Sequence, residues 1–135
     1  MGWNNGSVIG SHPRVSVAGH SVAGGLVGYN SAIISNSYSM GTVTGDERVG
    51  GLVGINAWWG TVSNSYAASA VSGNEHAGGL AGLNEEIVRN SFWDTQASGQ
   101  TTSDGGTGKT HRGNAEHCHL QALEHSRRHS WQDEP

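Results

Sequence analysis

Gly24-Gly25-Leu26-Val27-Gly28 returns as Gly50-Gly51-Leu52-Val53-Gly54 and again as Gly78-Gly79-Leu80-Ala81-Gly82. An asparagine stands two residues after each copy, at Asn30, Asn56 and Asn84. Asn36-Ser37-Tyr38 has counterparts in Asn64-Ser65-Tyr66 and Asn90-Ser91-Phe92, and Val43-Thr44-Gly45 in Val71-Ser72-Gly73. From Gly24 to Gly50 is 26 residues, and from Gly50 to Gly78 is 28, because two extra residues enter around Ala57-Trp58-Trp59. A weaker copy comes first: residues 2–19 align with 28–45 and set Trp3 beside Tyr29, Asn4 beside Asn30, Val8 beside Ile34, His12 beside Tyr38 and Val17 beside Val43. The chain thus opens in mid-repeat, and a piece of a longer array is expected. A fixed period in this range means that each unit leaves an apolar face that only a neighbouring unit can bury.

The units are built for strands. Leu-Val, Ile/Val-x-Asn-Ser-Tyr and Thr-Val-Thr are short runs rich in β-branched and aromatic residues, bounded by Gly and Asn. None is long enough, or has the 3.6-residue periodicity, for a helix. Stacked copies would pair each strand with its equivalent about 4.8 Å away, with glycines at the corners. The expectation is an all-β fold, a short parallel β-solenoid of about four rungs, right-handed because about 98% of parallel crossovers are. Sequence columns become ladders: Leu26, Leu52 and Leu80; Val8, Ile34, Val62 and Val88; Tyr38, Tyr66 and Phe92. Asn36, Asn64 and Asn90 are read as an amide ladder bonded from rung to rung. Strict alternation puts it on the side of Val62 and Tyr66, and a bulge would put it at a corner.

Composition narrows the function classes. Gly is 22 of 135 residues and charged residues are 13%, against a usual ~25% charged. A Gly-, Ser- and Asn-rich chain suggests disorder, but disordered tracts have no need to place Leu and Val at fixed intervals. The net charge of −4, with 7 basic residues, offers no basic face for nucleic acid. No apolar run reaches the 18 residues of a membrane helix, and Met1-Gly2-Trp3 opens on polar residues, so neither a membrane span nor a signal peptide is visible. Cys118 is the one cysteine, so no internal disulfide forms. No cofactor is expected.

The pattern G-G-L-V-G-x-N followed by [IV]-x-N-S-[YF] and V-x-G resembles the GLUG repeat of bacterial surface and secreted proteins, over roughly residues 2–110. Residues 90–96 and 105–110 look like the segment that closes such arrays. The resemblance implies a parallel β-helical stalk or adhesive module in large exported proteins. It implies an extracellular or cell-surface location for the parent protein. Carbohydrate or a host or cell-surface protein is the expected partner. It supplies no catalytic residue.

Residues 1–110 are read as the repeat domain and residues 111–135 as a separate tail, helical or disordered. The tail holds five of the eight histidines and Cys118. A helix over residues 115–129 would offer Glu116, His117, His119, Glu124, His125 and His129 as metal ligands, with His117, His119 and His125 foremost. The blander reading is an adventitious, frame-shifted tail. Back-translated with suitable codons and shifted by one nucleotide, residues 110–121 read as such arrays continue.

Three constellations could carry chemistry. Gly19-His20-Ser21-Val22-Ala23, after an apolar strand, looks like the nucleophile elbow of a serine hydrolase of esterase type. Ser21 would attack, with His20, His76 or a histidine of the tail as base. The repeat explains the same residues, since Gly19 aligns with Gly45 and Gly73. In the stacked turns Glu47 and Glu75 share a column with Ser21, and Arg48 and His76 share one with Val22. Two carboxylates about 5 Å apart match a retaining glycosidase, and a solvated ion pair explains them equally. Trp58 and Trp59, in the insertion, form an exposed pair suited to a sugar ring or a partner protein, or else fold back over the rung. Finally, the first rung, with Trp3, Val8 and Val15, presents an open strand edge, through which self-association is expected, with Cys118 crosslinking the tails.

Overall fold

A computed structural model describes residues 2–110. The chain winds through four short strands per turn. The first turn is β1 (Trp3–Asn4), β2 (Ser7–Ile9), β3 (Arg14–Ala18) and β4 (Val22–Gly24). The second is β5 (Val27–Asn30), β6 (Ile33–Ser35), β7 (Tyr38–Thr44) and β8 (Arg48–Gly50). The third is β9 (Val53–Asn56), β10 (Thr61–Ser63), β11 (Tyr66–Ser72) and β12 (Ala77–Gly78). A fourth, partial turn has β13 (Ala81–Asn84), β14 (Ile87–Arg89) and β15 (Phe92–Asp94), then the single-turn helix α1 (Thr95–Ser98) and β16 (Thr107–Lys109). Equivalent strands stack in parallel into four sheets, β1-β5-β9-β13, β2-β6-β10-β14, β3-β7-β11-β15-β16 and β4-β8-β12. This is the all-β parallel solenoid expected from the period: three full turns and most of a fourth.

The register follows the repeat. Val8, Ile34, Val62 and Val88 pair in succession, as do Tyr38, Tyr66 and Phe92, and Gly24, Gly50 and Gly78. Where the two extra residues enter, the ladder resumes in phase: Asn56, before them, lies opposite Asn30 and Asn84, and Thr61, after them, opposite Ile33 and Ile87. Leu26, Leu52, Leu80, Val27, Val53, Ile34 and Val62 fill one apolar core, and Ala23, Val43, Val49 and Val71 a second. Each side chain meets its own kind one rung away, so one packing solution is reused at every level.

The amide ladder differs from the one read in the sequence. Asn36, Asn64 and Asn90 have φ of 50°, 48° and 48° and stand exposed at a corner. Asparagine is the non-glycine residue that best tolerates this left-handed bend, and the bend breaks strict alternation, which leaves the column at the corner, one of the two placements the sequence left open. The buried ladder is the other asparagine column. Asn4 Nδ2 donates to Asn30 Oδ1, Asn30 Nδ2 to Asn56 Oδ1 and Asn56 Nδ2 to Asn84 Oδ1, each at 2.8 Å. Each Oδ1 of Asn4, Asn30 and Asn84 also accepts from the backbone N–H two residues on, in Gly6, Ala32 and Glu86. One short amide thus turns the corner and ties it to the next rung, a geometry the longer glutamine would not hold.

The rest of the Asn-Ser-aromatic motif has its own roles. Ser37, Ser65 and Ser91 are buried, and each hydroxyl donates to the carbonyl two residues back. Beyond them the rings of His12 and Tyr38 stack at 4.2 Å, and those of Tyr38 and Tyr66 at 4.8 Å. Lys109 Nζ lies 4.5 Å from the centre of the Phe92 ring.

The segment after β15 covers the end of the stack. Asp94 is buried and caps α1 by accepting from the N–H groups of Gln96 and Ala97, both at 2.9 Å. Beyond Gly99 the chain returns over the last turn. Ser103 Oγ accepts from Leu80 and Ala81 N–H at 3.0 Å, and Asp104 Oδ2 from Asn84 N–H at 2.7 Å. Buried Trp93 packs on the backbone of Gly79, and β16 pairs with β15. Among the described residues, no helix is long and apolar enough to cross a membrane.

Candidate functional site

The departure from the repeat is also its most exposed aromatic feature. Ala57-Trp58-Trp59-Gly60 forms a tight turn between β9 and β10, closed by Gly60 N–H donating to Ala57 C=O at 3.0 Å. Both central residues have positive φ, 59° at Trp58 and 79° at Trp59, as in a type I′ turn. Ala57 is buried, while Trp58 and Trp59 are 62% and 81% exposed. They do not fold back as core. They border a cleft of about 350 Å³, completed by Trp3, Asn5 and Ser31 from the two turns below. Trp3 is 63% exposed. Its Nε1 donates to Ser31 Oγ at 3.1 Å, and its ring lies 5.1 Å from that of Tyr29. Ser31 Oγ is in turn 2.6 Å from Asn5 Oδ1.

The corner between the third and fourth strands of each turn holds the other candidates. Ser21 is exposed and immediately precedes β4, so the elbow's helix is replaced here by a strand. Its carbonyl accepts from the N–H groups of Glu47 and Arg48. The His20 side chain is 97% exposed, with Nδ1 4.0 Å from Asp46 Oδ2. Asp46 Oδ1 accepts from Asn74 Nδ2 at 3.2 Å. Arg48 Nη1 lies 3.4 Å from Glu47 Oε2. Such an exposed pair contributes about 0–1 kcal/mol. Glu75 is exposed, and the carbonyl of His76, whose φ is 43°, accepts from Val49 N–H. The hollow beside this corner, about 370 Å³, is lined by residues such as Val17, Gly19, Val22 and Tyr29, and Ser21 is not among them. Among the described residues, no three His, Cys, Asp or Glu side chains gather to hold a metal. His117, His119, His125 and Cys118 lie outside the described residues.

With Ser21 flanked by strands, Ser21→Ala is expected to leave p-nitrophenyl acetate cleavage at the wild-type rate. A clear Ser21-dependent excess over that background would bring the esterase reading forward.

Two of the stacked turns are similar to a known repeat family. Residues 19–44 and 45–72 match the GLUG motif. The boundary between the two GLUG stretches falls at this same His20–Arg48 corner, and the second stretch contains the Trp58-Trp59 turn. No curated protein and no solved structure matches the chain.

Trp3, Asn5 and Ser31 escaped the sequence reading as site residues. The signal was in the alignment. Trp3 pairs with Tyr29 and Asn4 with Asn30, so Asn5 and Ser31 must follow on adjacent rungs, directly below the insertion after Asn56.

Proposed function

We propose that this GLUG-repeat solenoid is a rigid structural and adhesive module of an exported bacterial surface protein, working outside the cell. The observation that supports it is a division of labour within the repeat. The inward columns hold one set of Leu, Val, Asn and Ser residues from turn to turn. The insertion places its two tryptophans outward, on a scaffold held by a buried amide ladder. A stack of equal rungs transmits position along its axis, which is what a spacer needs. Exposed, rigidly held aromatics are what a contact site needs. Trp58 and Trp59 are the contact residues of this reading, and its partner is a carbohydrate or a cell-surface protein. Beads coated with the full chain are expected to be retained on layers of bacterial or epithelial cells. Trp58→Ala/Trp59→Ala should reduce retention about tenfold, the effect of losing an aromatic anchor. Retention no better than for albumin-coated beads would sink the adhesive role.

The first-turn strands β1, β2, β3 and β4 are the outer strands of their sheets among the described residues. Pairing of two copies through this edge is the self-association the module offers. Light scattering of the full chain is expected to show mass rising with concentration, whereas a constant monomer mass would rule the pairing out.

A further inference from the structure

The turn at Trp58 and Trp59 is built against its own backbone preference. A tight turn with two positive-φ residues is the territory of Asn-Gly, because a Cβ in the left-handed region crowds the following carbonyl. Here both positions carry the bulkiest side chain. Strain held at exposed residues gives the core nothing back, since Trp58 and Trp59 are exposed. Strained, over-determined positions of this kind gather where a ligand is met.

What faces the turn defines the ligand. The cleft is lined by Trp3, Trp58 and Trp59, with Asn5 and Ser31 as its polar residues. None of the five is charged. Trp3 is braced by its Nε1 bond to Ser31 and by the ring of Tyr29. Asn5 Oδ1 is engaged by Ser31, which leaves the two N–H donors of the same amide for a ligand. At about 350 Å³ the cleft sits at the small end of the ~300–1,000 Å³ of ligand pockets.

We propose that this cleft binds the sugar ring of a neutral saccharide. A pyranose ring presents a face of C–H bonds, which the electron-rich face of an indole attracts, and an edge of hydroxyls, which need amide and hydroxyl partners. Trp59 and Trp3 supply the first, Asn5 and Ser31 the second. A uronic or sialic acid would bring a carboxylate to a cleft with no cation to receive it. A nucleobase would stack equally well, but its phosphates would meet a chain of net charge −4 without a basic groove. A proline-rich peptide, which also docks on aromatic walls, would leave the Asn5 donors with less to bind than the many hydroxyls of a sugar offer. The site draws on three turns at once, so it exists only where the stack is in register. The proposal rests on the reading of Trp58 and Trp59 as contact residues and names what they contact.

The test uses the full 135-residue chain. It is titrated by calorimetry and tryptophan fluorescence with short cello-, chito- and galacto-oligosaccharides, with oligogalacturonate, and with a polyproline peptide. At least one neutral oligosaccharide is expected to bind at millimolar concentration or better, with oligogalacturonate at least about tenfold weaker. Trp59→Gly and Trp3→Ala should each weaken that binding about tenfold or more, and Asn5→Ala measurably. Trp59→Gly carries the decisive control. Glycine relieves the positive φ, so its urea midpoint should equal or exceed that of the wild type while binding is lost, which separates a missing contact from a failed fold. The proposal is overturned if no neutral oligosaccharide binds, if Trp59→Gly binds as wild type does, or if the polyproline peptide alone binds. Coated beads held on cells through Trp58 and Trp59 but not released by excess free saccharide would keep the adhesive reading and overturn this one. Beads that are not held, together with a chain that binds no sugar, would overturn both.

Discussion

Asn56→Ala is expected to destabilise the solenoid by roughly 3–5 kcal/mol, because it strands the buried amide of Asn30 on one neighbouring rung and partly buried acceptors of Asn84 and Ile87 on the other. Asn56 is fully buried. Its Oδ1 accepts from Asn30 Nδ2, and its Nδ2 lies 2.8 Å from Asn84 Oδ1, 3.1 Å from Ile87 C=O and 3.3 Å from Gly60 C=O. Truncation therefore removes a donor and an acceptor at once, in a place water does not reach. Each buried group left unsatisfied costs about 1–3 kcal/mol, and a chain of amides loses the mutual polarisation of its members as well. Urea unfolding followed by circular dichroism measures the loss. The informative control is the exposed asparagine column at the other corner. Asn36→Gly keeps a residue at ease with φ of 50°, and it should change stability by less than about 1 kcal/mol. Equal losses at Asn56 and Asn36 would mean that the ladder does not hold the rungs.

Gly50→Ala should be at least as damaging, about 4 kcal/mol or more, for a steric reason. A Cβ on Gly50 would overlap the carbonyl oxygen of Val53 and come within 2.8 Å of Gly82 N and Leu80 O. These are backbone atoms of its own rung and of the next, and they cannot swing aside as a side-chain tip can. Gly24 and Gly78 face the same carbonyl position, at Val27 and Ala81. The paired glycines are therefore kept for close approach of layers, and none of the three has the positive φ that a glycine corner would suggest. Gly6→Ala is the contrast. Nothing lies within 4 Å of a Cβ there, and the change should be near neutral. A Gly50→Ala chain with a wild-type urea midpoint would show that the rungs are further apart than described.

Much of this architecture was legible because the repeat converts spacing into contact. Once Leu26, Leu52 and Leu80, or Tyr38 and Tyr66, are seen to share a period, parallel stacking leaves them little freedom. The sequence left open which way the Asn36 column faces, and it missed the buried ladder at Asn4, Asn30, Asn56 and Asn84. Periodicity says which residues stack but not which way a column faces, and alternation stops at a left-handed corner such as Asn36. The sequence likewise left two reasons open for the glycine corners, a positive φ or a side-chain clash, and the pairs at Gly24, Gly50 and Gly78 answer to the second. The insertion at Trp58 and Trp59 was plain in the sequence, but whether the pair stands exposed or folds back over the rung was left open there, and both are exposed. Their strained turn was not legible, since a Trp-Trp pair carries no turn signal. The rest of the cleft was hidden because Trp3, Asn5 and Ser31 come from different turns, and only in-register layers bring them beneath Trp59.

The most direct test of that layering is a methyl NOE experiment on the full chain with labelled leucine. Cross-peaks are predicted between Leu26 and Leu52 and between Leu52 and Leu80, with none between Leu26 and Leu80. Absence of the two neighbour contacts in a folded sample, or a helical far-ultraviolet spectrum, would contradict the stacked solenoid.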